Sequence, residues 1–135
     1  MKRLYILPAL LLLMLTASAC DSSGPLSGGD SDYRVVYTVD KNGESVITSI
    51  TYRDRGGALR TVTNPTLPWS TRIALEPGEQ ASLSATGTVT SGTFTVRLSA
   101  INNRNNLTLD SGCVTGTDEV LPKTCDGLNV ARRLP

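Results

Sequence analysis

Residues 93–101 read Thr-Phe-Thr-Val-Arg-Leu-Ser-Ala-Ile, with Phe94, Val96, Leu98 and Ala100 at every second position. Successive side chains of an extended chain point to opposite faces, so this spacing buries one face only as a β-strand. The same period appears upstream, where Tyr33, Val35, Tyr37 and Val39 share a face and Arg34, Thr38 and Asp40 take the other. Residues 46–52 continue it, with Val46, Thr48, Ile50 and Tyr52 on one side. Further strands are expected over residues 59–63, 72–75, 81–85 and 107–109.

Turn signals separate these runs. Lys41-Asn42-Gly43-Glu44 contains Asn-Gly, the strongest short hairpin marker. Arg55-Gly56-Gly57, Glu76-Pro77-Gly78-Glu79 and the polar residues 102–106 mark other reversals. Pro65 and Pro68 interrupt the ladder because neither can donate a backbone hydrogen bond to it. About seven short strands at intervals of about 8–12 residues predict an all-β fold, an immunoglobulin-like β-sandwich. After Asp110 the alternation fades, so residues 111–135 read as a loop-rich C-terminal extension of the domain at 33–110, either a packed arm or a disordered terminus.

The chain begins Met1-Lys2-Arg3, continues apolar to Leu15, and then runs Thr16-Ala17-Ser18-Ala19-Cys20. A basic start, a short apolar stretch and small residues before a cut site form an export signal, placed at residues 1–19. The apolar run is shorter than the roughly 20 residues that span a bilayer. Ala17-Ser18-Ala19-Cys20 resembles the bacterial lipobox, with Ala17 where leucine is usual; the alternative is an ordinary secretory cleavage beside an incidental cysteine. On the lipobox reading Cys20 is acylated and becomes the N-terminus of an envelope protein held on the extracytoplasmic face of a membrane. Residues 21–32, Asp-Ser-Ser-Gly-Pro-Leu-Ser-Gly-Gly-Asp-Ser-Asp, are too polar to order themselves and predict a flexible tether.

Loss of Lys2 and Arg3 leaves 11 basic against 12 acidic residues. No basic run remains in the sequence, which argues against nucleic acid as a partner. The chain has three cysteines and no histidine. With Cys20 assigned to lipid, Cys113 and Cys125 cannot assemble the four ligands of a structural zinc site. In an exported chain they read as one disulfide, with two free thiols as the alternative.

Leu67-Pro68-Trp69 contains the single tryptophan. Together with Val35-Val36-Tyr37-Thr38-Val39, Ile50-Thr51-Tyr52 and Ala81-Ser82-Leu83-Ser84-Ala85, this segment resembles the extracytoplasmic domain of the MmpS family over residues 33–101. The resemblance implies a β-sandwich accessory to a large RND-type, MmpL-like exporter of lipids or siderophores. The chain departs from that family in carrying a candidate lipid anchor instead of a transmembrane helix, and in where its cysteines fall.

Trp69 reads either as a seam residue packed where the chain changes sheets, or, with Leu67 and Pro68, as a candidate partner contact of the kind aromatic residues provide. Tyr33, Tyr37 and Tyr52 read as packing residues before they read as a ligand platform. The absence of histidine removes the usual general base and triad orienter. Asp110, Asp118, Glu119 and Asp126 gather near the cysteines but lack calcium-loop spacing, so they read as a solvated acidic loop and no metal or cofactor is expected. The expectation is a non-catalytic, lipid-anchored interaction module, with a periplasmic ligand-binding lipoprotein as the alternative and an enzyme disfavoured.

Overall fold

A computed structural model describes residues 32–117 and 119–135. The export signal, Cys20 and the tether up to Ser31 lie outside the described residues, as does Asp118. Eight strands follow in order: β1 Tyr33–Asn42, β2 Ser45–Arg53, β3 Leu59–Thr63, β4 Trp69–Leu75, β5 Gln80–Val89, β6 Thr93–Ile101, β7 Asn106–Val114 and β8 Lys123–Arg133. They form two four-stranded antiparallel sheets, β4-β1-β6-β7 and β3-β2-β5-β8. The architecture is the expected all-β sandwich, with eight strands where the pattern suggested about seven.

The core forms between the inward faces of the two sheets. Tyr33, Val35, Tyr37 and Val39 of β1 meet Phe94, Val96, Leu98 and Ala100 of β6 across one sheet, all fully buried. Ile50, Ala81, Leu83, Ala85 and Val89 close the core from the other. The outward positions of both sheets are largely Ser, Thr and Arg, so each sheet is apolar on one face and polar on the other.

Three expectations are corrected. The Asn42-Gly43 turn does not make a hairpin: β1 pairs with β4 and β6, while β2 pairs with β3 and β5. Its positive-φ Gly43 instead turns the chain from one sheet to the other. In β2 the pairing shifts between Ile47 and Ser49, a bulge that reverses the alternation. Ile47 therefore points inward at 4% exposure and Val46 outward at 66%.

Finally, residues 111–135 are not a loop-rich extension. β7 continues to Val114, and β8 is an 11-residue strand along the edge of β5. Leu134 is buried, and its N–H and carbonyl bond to the Glu79 carbonyl and the Gly78 N–H. The sandwich domain thus extends to the C-terminal residues.

Candidate functional site

In the sandwich the two lateral seams are closed differently. Along one side β7 lies over β8, and Cys113 joins Cys125 across the gap with their Cα atoms 6.3 Å apart. The sequence-expected disulfide is therefore present, and it links the two sheets. Leu107, Leu109 and Leu128 pack against the core beside it.

The opposite seam lies between β4 and β3, and here aromatic rings do the closing. Trp69 opens β4 directly opposite Val39 of β1, which aims its indole inward. It meets Tyr52 of β2 with ring centroids 5.5 Å apart, and Tyr52 meets Tyr37 of β1 at 5.7 Å. Both pairs are tilted, by 47° and 48°, within the range in which aromatic edges and faces attract. The ladder Tyr37–Tyr52–Trp69 thus runs from the core to the rim, with Leu67, Val62 and Ile73 half-buried around it. The Leu67–Pro68 peptide is cis, and Pro68 is exposed.

The seam reading of Trp69 therefore describes its position. Its ring packs between sheets while remaining partly accessible, and the neighbouring Pro68 presents outward. Tyr33 and Tyr37 are wholly buried and cannot serve as a ligand platform. The Tyr37 hydroxyl donates to the Arg53 carbonyl at 3.1 Å and accepts from the Ser82 N–H at 3.3 Å. Burial pushes its pKa up to about 12, because the phenolate would lose its hydration.

The acidic residues near the disulfide are dispersed. Asp110 lies 3.7 Å from Arg97 on an outer sheet face. Glu119 accepts from the Gly116 N–H at 2.9 Å and pairs with Lys123 at 2.7 Å, contacts that hold its carboxyl below the usual range. Among the described residues no three potential ligands gather into a metal-binding group.

A feature not singled out from the sequence lies on the outer face of the β3-β2-β5-β8 sheet. A shallow depression of about 310 Å³ is lined by Thr51, Leu59, Ser82, Ser84, Asn129 and Ala131. Register gathers them: Thr51 pairs with Ser84, Ser84 with Asn129, and Ser82 with Ala131. The alternating serines of Ala81-Ser82-Leu83-Ser84-Ala85 were the available signal. Their convergence with Asn129 required β8, which sequence alternation did not reveal.

Neither region aligns an acid, a base and a nucleophile. The aromatic seam offers a half-buried apolar edge, and the depression offers hydroxyls and an amide, so both are equipped for contact. No family model, curated protein or solved structure matches this chain.

Proposed function

We propose that this protein is a non-catalytic lipoprotein of the cell envelope, anchored through Cys20, which acts as an interaction module assisting an RND-type transport complex. The observation that carries the reading is the pairing of a lipobox-like leader with a sandwich whose own residues close its core. Every buried core residue among those described lies between Tyr33 and Leu134. The polar, Gly- and Ser-rich composition of residues 20–32 suits a leash. The transporter partnership rests on the MmpS-like segments, and Leu67-Pro68-Trp69 is the candidate contact.

A photo-crosslinking residue placed at exposed Thr66, beside Leu67, tests the contact in living cells. An adduct with a large envelope membrane protein is the expected outcome. Recovery of the uncrosslinked monomer alone, from cells in which the protein is folded and membrane-bound, contradicts the reading.

The depression on the outer sheet face favours a second reading, a ligand-binding lipoprotein. Its hydroxyl and amide lining suits a polar ligand. Amide chemical shifts of Thr51, Ser84 and Asn129 moving together during titration with cell-envelope extracts would support that alternative.

A further inference from the structure

The antiparallel order places the start of every odd-numbered strand and the end of every even-numbered strand at one end of the sandwich. Arginines distant in sequence meet there: Arg34 in the start of β1, Arg55 after β2, Arg104 after β6, and Arg132 and Arg133 in the end of β8. All five are exposed, and the ion pairs of Arg60, Arg97 and Lys123 do not involve them.

Carboxylates share this end but are partly committed to their own turns. Asp54 pairs with Arg60 at 2.6 Å and accepts from the Ala58 N–H, and Glu79 accepts from the Glu76 N–H at 2.6 Å. Glu76 is exposed, and Asp32 stands just ahead of β1. The far end has the opposite balance, with Asp40, Glu44, Glu119 and Asp126 against Lys41 and Lys123. Lys123 is itself paired to Glu119. A nearly neutral chain is therefore polarised along its long axis.

The positive end is also where Tyr33 begins β1, and so where residues 20–32 join the sandwich. We propose that this arginine-bearing end docks on an anionic bilayer surface, orienting the sandwich upright with its acidic end outward. The proposal rests on the lipid-anchored reading, since a lipid at Cys20 would bring this end to the headgroups. Charge complementarity selects the occupant: basic groups held within a Debye length of anionic lipids are attracted individually, and the leash supplies a high local concentration.

The test uses residues 20–135 with Cys20→Ser, so that no acyl chain contributes. Co-sedimentation with phosphatidylglycerol–phosphatidylcholine vesicles is compared with pure phosphatidylcholine vesicles at low and high salt. Binding is expected only with phosphatidylglycerol, and is expected to fall with salt. The triple variant R55Q/R104Q/R133Q is expected to weaken it at least about tenfold, while Lys41→Gln leaves it unchanged. Far-UV circular dichroism and an unaltered thermal midpoint verify that the triple variant is folded.

Equal binding to both vesicle types, no binding to either, or equal loss in the triple variant and Lys41→Gln would overturn the proposal. Binding to heparin without binding to phosphatidylglycerol vesicles would also overturn it, by assigning the arginines to a soluble polyanion. Acylation of Cys20 in native protein is read separately by mass, so failure of the anchor and failure of the docking end are distinguishable.

Discussion

Tyr37 and Trp69 share one ladder of rings yet stabilise the sandwich through different physics. The Tyr37 hydroxyl is enclosed and bonded to the Arg53 carbonyl and the Ser82 N–H. Tyr37→Phe is expected to cost about 1–2 kcal/mol at pH 7, because both backbone groups lose a buried partner. With a pKa pushed up to about 12 in the folded chain, Tyr37 keeps its proton where an unfolded tyrosine, near 10, releases it. Its contribution is therefore intact below pH 10 and declines through pH 12, by on the order of 2 kcal/mol. Urea unfolding should show the wild type losing more stability than Tyr37→Phe across that window; parallel curves would contradict the assignment. Trp69 contributes ring area and a tilted contact with Tyr52. Trp69→Ala is expected to cost about 2–3 kcal/mol, below the value for a fully buried tryptophan because part of the ring already meets water.

At the scale of elements, two of the corners that carry the chain between sheets, β1–β2 and β5–β6, depend on glycine. Gly43 and Gly92 have positive φ and abut each other's turns: a Cβ on Gly92 would collide with the Asn42 carbonyl, and one on Gly43 would meet the Ser91 carbonyl. Gly92→Ala is therefore expected to destabilise by more than about 2 kcal/mol. Gly78→Ala, with φ also positive but open space around it, should cost only about 1 kcal/mol. Equal losses in thermal unfolding would contradict the close-approach argument. Reduction of Cys113–Cys125 is a second test at this scale. Closing a loop of that length contributes about 3 kcal/mol, so the reduced protein should unfold at clearly lower urea.

These same elements show what the sequence made legible. Strands β1 and β6 alternate without interruption, and their inward residues matched expectation position by position. Because a bulge is invisible to a two-residue period, β2 was found but misfaced at its start, where Val46 points outward, while Ile50 and Tyr52 beyond the bulge face the core as expected. β8 was missed for the same reason: its inward residues Cys125, Leu128 and Val130 are spaced by three and then two, across a shift opposite Thr86. The disulfide was readable from the cysteine inventory. The serine-lined depression and the arginine end were not, since both depend on which strands become neighbours.

For the whole molecule, the termini of the domain are fastened to each other. The Tyr33 hydroxyl donates to the Pro135 carbonyl at 3.1 Å and accepts from the Asn105 side-chain amide at 2.7 Å. Leu134 is buried at the end of the core. Leu134→Ala is expected to cost about 2–4 kcal/mol, a core-like loss from the penultimate residue. Chemical denaturation showing less than about 0.5 kcal/mol, the range of ordinary surface substitutions, would mean that this end is not packed. The proposed envelope role depends on acylation at Cys20. Intact mass spectrometry of the protein extracted from native membranes tests that directly. The expected species starts at residue 20 and is heavier than the polypeptide by its acyl groups; an unmodified chain recovered from the soluble fraction would contradict the account.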